Sequence, residues 1–206
     1  MYRPAAYAVD DVAVLHSVVQ SRRFATIAAA SPQGVRLAYA PVVLDPLPEP
    51  LGTLRFHLAR SNPLSDCDDV EWRLSFLAAD AYVSPDWYET PGFVPTWNYI
   101  AVEAAGQARR LDRDALYQSL VELAFAAEEN LRPKKPWTIE KLAAKKVDAL
   151  LNAICGFSLQ LESLEGKFKL SQDKKRADIA GVIAGLDSRG DAASLAVARA
   201  MKATLP

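Results

Sequence analysis

One stretch of the chain decides the fold: residues 24–44 read FATIAAASPQGVRLAYAPVVL. The segments 24–30 and 35–44 alternate β-branched, aromatic and small apolar residues, a composition that favours strands. The four residues between them, Ser31-Pro32-Gln33-Gly34, place proline second and glycine fourth in a turn. We therefore predict a β-hairpin over residues 24–44.

More strands are predicted beyond this hairpin. Side chains alternate across a strand, so Trp72, Leu74 and Phe76 would share one face of the segment 71–79. A glycine at position 106, inside a long strand, suggests a bulge. Short strands separated by turns at regular intervals are typical of an antiparallel barrel. The predicted strands after the hairpin are 53–59, 71–79, a short extended piece at 81–84, and 97–111.

Helical periodicity appears before the hairpin and again after residue 112. Asp10 is a candidate N-cap for a first helix, whose apolar residues from Val12 to Val19 fall on one face. Pro133 stops a second helix, and Gly156 is expected to end a third that begins at Thr138. A strand at 157–170 and helices at 177–186 and 191–203 complete the chain. We predict an α+β protein, an antiparallel barrel with inserted and C-terminal helices.

Composition limits the function classes. The chain has 206 residues and a net charge of −1 from 24 basic and 25 acidic residues, so global basicity cannot drive nucleic-acid binding. The two cysteines, Cys67 and Cys155, are expected to be free buried thiols. The sequence contains no CxxC, HExxH or HxH spacing, which argues against a zinc site. Its start lacks the apolar segment of a signal peptide, and no apolar run approaches about 20 residues. We expect a cytoplasmic protein with no metal and no membrane partner.

Two aromatic segments, 81–88 and 94–99, interleave rings with hydroxyls, an amide and prolines. Tyr88 and Trp97 offer flat walls for a planar ligand, and Thr96 offers a hydrogen-bonding group. The alternative is a loop whose rings merely fill the mouth of the barrel. A polar turn at 57–63 delivers Arg60, Ser61 and Asn62 from the end of a strand, a set that suits a phosphate. The alternative there is an exposed polar turn, and His57 alone says little.

The basic stretch 166–176 is the third candidate. Lys167, Lys169 and Ser171 would project from one face of a strand and meet a phosphate or a nucleic acid. The alternative is a strand that simply leads into a helix with solvated lysines. The C-terminal helices are no convincing DNA-reading motif, because residues 192–199 are too small and apolar to read base edges. No catalytic residues can be assigned, and any reactive group would come from a cofactor.

Six segments taken together resemble one known family. They are Met1-Tyr2-x-Pro4, Phe24-Ala25-Thr26, His57-Leu58-Ala59-Arg60-x-Asn62-Pro63, Ala81-Tyr82-Val83-Ser84-Pro85-x-Trp87-Tyr88, Val94-Pro95-Thr96-Trp97-Asn98-Tyr99 and Lys169-Leu170-Ser171-Gln172. In this order they are similar to the PaiB family of FMN-binding negative transcriptional regulators, over residues 1 to about 185. The resemblance implies a split β-barrel and a homodimer with FMN at the subunit interface. It implies a split-barrel domain over 1–172 with a helical insertion at about 112–154, and a helical extension over 173–206 packed on the same domain.

The resemblance also suggests a flavin site. By analogy with split barrels, the turn Arg60-Ser61-Asn62 after the third strand would meet the phosphate, with Lys169 as a second cation. The aromatic segments and the strand that ends in Lys169 would line the ring site, and His57 precedes the phosphate turn. The residues expected to bind cofactor are Tyr39, His57, Arg60, Ser61, Asn62, Tyr88, Thr96, Trp97 and Lys169.

Two departures from the family pattern bear on that site. The run Ala38-Tyr39-Ala40-Pro41 stands where family members commonly have Thr-His-Leu-Pro, and Phe56 stands where they have glycine. A glycine permits close backbone approach, so we expect the Phe56 ring to occupy space intended for the flavin.

Three functions remain open. The first is an FMN-binding protein of the PaiB type, acting as a negative transcriptional regulator or as a flavin-dependent redox protein. The second and third are a DNA-binding regulator and a protein-binding regulator that has lost flavin. DNA binding would need a basic surface from the lysines of 134–146 together with Lys174, Lys175 and Arg176. Glu140 and Asp148, however, make the first segment typical of a solvent face. A homodimer is also expected because Trp72, Trp87 and Trp97 provide more aromatic area than one small core hides.

Overall fold

A computed structural model of the chain describes residues 1–31, 34–67 and 70–204. The strands are β1 (Ala8–Val9), β2 (Phe24–Ser31), β3 (Gly34–Asp45), β4 (Thr53–Ala59), β5 (Glu71–Val83), β6 (Thr96–Arg110) and β7 (Ile154–Lys169). The helices are α1 (Val12–Arg22), α2 (Arg113–Glu129), α3 (Ala144–Asn152), α4 (Arg176–Arg189) and α5 (Ala192–Ala203). The hairpin of β2 and β3 is confirmed, although Pro32 and Gln33 of its predicted turn lie outside the described residues.

The strands form one sheet in the order β1-β7-β4-β3-β2-β5-β6, and a further pairing of β7 with β6 closes a ring. The pairs are antiparallel, with Tyr39 opposite Thr26 and His57 opposite Gly156. A closed ring leaves no unpaired edge among its own strands, which is how barrels satisfy their backbone groups. The predicted α+β class and antiparallel barrel are confirmed.

Contacts along the chain divide it into two compact units. The first unit comprises residues 1–11, 76–103 and 165–206, and the second comprises residues 12–75 and 104–164. The whole predicted C-terminal extension lies in the first unit, and the whole predicted helical insertion lies in the second.

The core of the second unit is built around three aromatic rings. The Phe56 ring stacks on that of Phe157 with 5.4 Å between centroids, and Trp72 lies 5.7 Å from Phe56 and 5.2 Å from Phe157. Phe56 is only 2 % exposed, because alternation along β4 turns Leu54, Phe56 and Leu58 inward. His57 lies on the opposite face, half-buried. The Phe56 ring is therefore part of the core, and the expectation that it occupies flavin space stays a prediction.

Two glycines of the second unit, Gly106 and Gly156, are required by close contacts inside the barrel. A Cβ on Gly106 would lie 2.2 Å from the carbonyl oxygen of Gln160, so this position needs glycine for a close backbone approach. A Cβ on Gly156 would lie 2.8 Å from a methyl carbon of Leu116. Gly156 is thus a packing residue inside β7 and does not end a helix. The helix predicted from Thr138 is also broken, since a 3-10 turn at Ile139–Lys141 precedes α3.

Helices α4 and α5 pack into the core of the first unit. Val83, Leu170, Val182, Leu186 and Met201 are members of this core and are almost fully buried. Gly190 ends α4 with φ +69, and the carboxylate of Asp191 accepts a hydrogen bond from the Ser194 amide to cap α5. The two C-terminal helices thus form a hairpin that packs into the core of the first unit. Within the described ranges, every helix is too short or too polar to span a bilayer.

Candidate functional site

The Arg60 guanidinium donates hydrogen bonds to backbone carbonyl oxygens of the protein. Its Nε donates to the carbonyl oxygen of Asn152 at 2.7 Å, and its Nη2 donates to that of Ile154 at 2.9 Å. Its own amide donates to the carbonyl of Ala153. The guanidinium thus fastens the turn between α3 and β7 to the end of β4. Its assignment to a phosphate stays a prediction.

The neighbouring turn residues have local roles. Asn62 Oδ1 accepts a hydrogen bond from the Leu64 amide at 2.9 Å and so caps the 3-10 turn Pro63–Asp66. Ser61 is exposed. Asn62 thus uses its acceptor oxygen as a cap. The assignment of Ser61 and Asn62 to a phosphate stays a prediction.

Arg60 also borders a cavity of about 230 Å³ together with Arg110 and Arg113. Arg110 donates to the carbonyl of Ser65 and, at 3.3 Å, to Cys155 Sγ. Arg113 donates to the Asp148 carboxylate and to Asn152 Oδ1. All three guanidinium groups are therefore engaged by acceptors of the protein itself.

A larger cavity of about 670 Å³ lies in the second unit, and we call it the apolar cavity. Residues of β2, β3, β4, α2, α3 and the segment between those two helices line it. His57 is among them, and burial lowers the pKa of its imidazole, so the ring is neutral at pH 7. The remaining lining residues are Arg22, Arg23, Phe24, Pro41, Leu120, Leu123, Ala124, Ala127, Trp137, Ile139, Leu142, Val147, Leu150, Leu151 and Ile154.

Two arginines supply the positive charge of this cavity. Arg22 ends α1, and Arg23 adopts φ +49 in the connection to β2, where its carbonyl accepts from the Val42 amide. Across the described ranges, neither guanidinium has a hydrogen-bond or ion-pair partner. This pair was not predicted, because the predicted phosphate-binding cations were Arg60, on a turn after a strand, and Lys169, on a strand. The feature of the sequence that could have indicated the pair is the presence of two adjacent arginines directly before the first strand of the hairpin.

Glu128 positions Trp137 at the same cavity. Its Oε2 accepts a hydrogen bond from the Trp137 amide at 2.8 Å and also binds the Lys134 ammonium. The bond from Lys134, followed by that from the Trp137 amide, lowers the pKa of the Glu128 carboxyl. The lysines between residues 134 and 146 are exposed, as the prediction of a solvent face requires.

In the first unit, three predicted site residues do converge. Tyr88, Thr96 and Lys169 line a pocket of about 170 Å³ with Tyr7, Phe93, Val94, Asn98, Ser171, Asp173 and Lys174; we call it the Lys169 pocket. Lys169 Nζ donates to Thr96 Oγ1 at 2.6 Å and to the carbonyl oxygen of Trp97 at 2.7 Å. Burial lowers the pKa of this ammonium.

The two remaining predicted residues lie elsewhere. The Trp97 side chain is 53 % exposed and meets the Tyr82 ring edge-on at 5.1 Å. Tyr39, in the second unit, is 66 % exposed on the outer face of β3. Neither ring lines the Lys169 pocket or the apolar cavity.

A buried polar pair supports the Lys169 pocket and was not predicted as part of a site. Ser171 is 4 % exposed with φ +61, a conformation that costs free energy for a residue with a side chain. Its Oγ accepts a hydrogen bond from Asn98 Nδ2 at 2.9 Å. Both residues belong to segments on which the family resemblance rests, and that membership could have identified them as candidate site residues.

The closed antiparallel ring, with helices after β6 and after β7, defines the split-barrel class of proteins. Comparison with known sequences gives the family: residues 1–163 match the family described as "Putative FMN-binding domain", and the chain belongs to it. It is 30% identical over 193 residues to the Protease synthase and sporulation protein PAI 2 of Bacillus subtilis, covering 91% of this chain and 90% of that one. An uncharacterized protein of Emericella nidulans is 26% identical over 243 residues, covering 98% and 96%. The resemblance to the PaiB family is confirmed.

Solved structures share the fold at low sequence identity. The FAD and heme binding protein of Mycobacterium smegmatis is 16% identical with a TM-score of 0.58, covering 84% of this chain and 79% of that one. The flavocytochrome Anf3 of Azotobacter vinelandii is 14% identical with a TM-score of 0.60, covering 82% and 72%. These likenesses confirm the split barrel. The prediction of FMN as cofactor agrees with the family to which the chain belongs.

Proposed function

We propose that this protein binds FMN and that the apolar cavity of the second unit holds it. The observation that carries the proposal is a cavity of about 670 Å³ that joins apolar walls to two guanidinium groups without partners among the described residues. FMN needs both features, because its ring system is flat and largely apolar while its phosphate is anionic. Ligand pockets of this kind measure about 300–1,000 Å³.

The residues that line the apolar cavity suit both the ring system and the phosphate of FMN. Trp137 offers a flat surface for the ring system, and Phe24 and Pro41 offer an apolar floor on the sheet. Arg22 and Arg23 would bind the phosphate through charge-assisted hydrogen bonds, for which the planar guanidinium is well shaped. His57, being neutral, presents one donor and one acceptor nitrogen to a ligand. A bound flavin supplies the capacity to accept and return electrons.

Arg22 and Arg23 replace Arg60 as the phosphate ligands in this proposal. The Arg60 guanidinium already donates to two carbonyl oxygens, and binding a phosphate would compete with those bonds. If the phosphate lies at Arg22 and Arg23, variants of these two residues should bind FMN more weakly; if it lies at Arg60, the Arg60 variant should. FMN affinities of the variants therefore distinguish the two positions of the phosphate.

The test is a titration of FMN fluorescence with the full chain. Arg22→Ala and Arg23→Ala should each weaken binding roughly tenfold to a hundredfold, because each loses a hydrogen bond to a charged group. Arg109→Ala is the matched control, since Arg109 is exposed and lines none of the three described cavities. Unchanged affinity in both test variants, or an equal loss in the control, would remove the proposed site. Absence of FMN binding by the parent chain would remove the function.

A homodimer is the assembly that we propose. On the outer face of β3, Val35, Leu37 and Tyr39 are 74 %, 60 % and 66 % exposed. They form an apolar stripe, with Ala28 of β2 opposite Leu37. A second copy of the chain would cover this stripe. Light scattering should give twice the protomer mass of 22.5 kDa, and Leu37→Lys should shift it toward one protomer. A parent that scatters as a single protomer at micromolar concentration contradicts the proposal.

A regulatory role is the second candidate function, and the resemblance to the PaiB family of negative transcriptional regulators supports it. Direct DNA binding would rest on exposed cations such as Lys145, Lys146 and Lys175. Electrophoretic mobility shift at several salt concentrations tests it, since affinity for phosphates falls steeply with salt. A shift that depends on sequence supports this candidate, and no shift at low salt removes it.

A further inference from the structure

The Lys169 pocket of the first unit contains a cation that has no ion-pair partner among the described residues. Lys169 Nζ donates to two neutral oxygens, and within the described part of the chain no carboxylate pairs with it. The second ammonium of the pocket, on Lys174, is paired with Asp173 at 2.8 Å. Two ammonium groups and one carboxylate leave the pocket with one net positive charge, which a monoanion would balance.

The same pocket has aromatic walls and a defined size. The rings of Tyr88 and Phe93 lie 4.5 Å apart at their centroids, and Tyr7 also lines the space. Its volume is about 170 Å³. An apolar cavity of about 150 Å³ is sufficient to bind benzene. The space therefore suits a single six-membered ring with a small substituent.

The polar groups of the pocket are fixed before any ligand arrives. Thr96 Oγ1 and the Trp97 carbonyl hold the Lys169 ammonium, and Lys174 Nζ lies 4.8 Å over the Phe93 ring. Asp173 accepts a hydrogen bond from the Tyr7 hydroxyl, and burial followed by that carboxylate raises the pKa of the phenol. Burial also lowers the pKa of Lys169, and the nearby carboxylate of Asp173 acts in the opposite direction. Fixed groups of this kind reduce the ordering cost of binding.

We propose that the Lys169 pocket is a binding site for a small aromatic monocarboxylate, separate from the flavin site. The carboxylate would accept a hydrogen bond from the uncommitted N–H of the Lys169 ammonium. The ring would lie against the side chains of Tyr88, Phe93 and Tyr7. A dianionic phosphate group fits less well, because it would leave a net negative charge in a half-buried space.

Calorimetric titration of the flavin-free full chain with benzoate tests the proposal. Saturable binding of one benzoate per chain is expected. Benzamide, which keeps the ring and loses the charge, and acetate, which keeps the charge and loses the ring, should each bind at least about tenfold more weakly. These comparisons use the parent protein and do not depend on any variant folding. Equal binding of benzamide, or no saturation with benzoate at millimolar concentration, overturns the proposal.

Two variants then assign the binding to this pocket. Lys169→Met keeps the side-chain stem, removes the ammonium and should weaken benzoate binding about tenfold or more. Lys167→Met is the matched control: Lys167 belongs to the same strand, but its ammonium lies over the rings of Tyr2 and Tyr99. Equal loss in both variants contradicts the assignment. Displacement of benzoate by FMN would also overturn it, since the pocket would then belong to the flavin site.

Discussion

Phe56→Ala separates the core role of this residue from the blocking role that the sequence suggested. Phe56 is 2 % exposed and contacts the rings of Trp72 and Phe157. Truncating a buried phenylalanine to alanine costs about 3–5 kcal/mol. Loss of two ring pairs places the expected decrease in the free energy of unfolding in the upper half of that range.

Urea denaturation followed by tryptophan fluorescence measures this cost, with FMN affinity measured on the same samples. Phe125→Ala is the matched control, because Phe125 is 62 % exposed and should lose less than about 1 kcal/mol. Phe56→Leu preserves most of the volume and provides a folded variant if Phe56→Ala is too unstable to study. A cost below about 1.5 kcal/mol for Phe56→Ala would contradict the core role of Phe56, and tighter FMN binding than the parent would show that its ring blocks the flavin.

Three more predictions concern the second unit. Burial lowers the pKa of His57 below its ordinary 6.5, so the unfolded chain binds a proton more readily. The free energy of unfolding should therefore decrease as pH falls through 6.5, by at most about 1.4 kcal/mol per pH unit, and His57→Gln should reduce this slope in urea titrations. Glu128→Ala releases the Trp137 amide and should weaken FMN binding several-fold in a fluorescence titration. Glu129→Ala should not, since the Glu129 carboxylate binds Arg132 and does not hold Trp137. Arg60→Ala should lower the free energy of unfolding by about 1 kcal/mol and leave FMN affinity unchanged; a tenfold weaker affinity would restore its predicted phosphate role.

Much of the barrel could be predicted because its strands carry strong local signals. The bounds of β4 match the predicted 53–59, and those of β2 and β3 differ by one residue at each altered end. The face of Phe56 was also accessible, since Leu54, Phe56 and Leu58 alternate with polar or exposed residues along β4. The end of α3 was not accessible, because Gly156 is required by Leu116, which lies 40 positions earlier in the chain.

The candidate sites were less predictable, because their residues meet only after folding. Lys169 and Thr96 are 73 positions apart, and Arg60 finds its acceptors 92 and 94 positions away. The sequence shows that these side chains can donate hydrogen bonds to an anion. It does not show which acceptors of the protein lie close enough to accept those bonds instead. Arg22 and Arg23 lie in an ordinary junction between a helix and a strand, and only their position at the apolar cavity makes them candidate phosphate ligands.

The most direct test of the proposed flavin site is FMN affinity after the apolar cavity is filled. Leu123 lines this cavity on α2, and Leu123→Trp would place an indole ring inside it. Phe125→Trp is the matched control, because Phe125 is exposed on the same helix and lines none of the three described cavities. We predict that Leu123→Trp loses FMN binding by more than about tenfold while Phe125→Trp binds as the parent does. Parental FMN affinity in a folded Leu123→Trp protein would contradict the account.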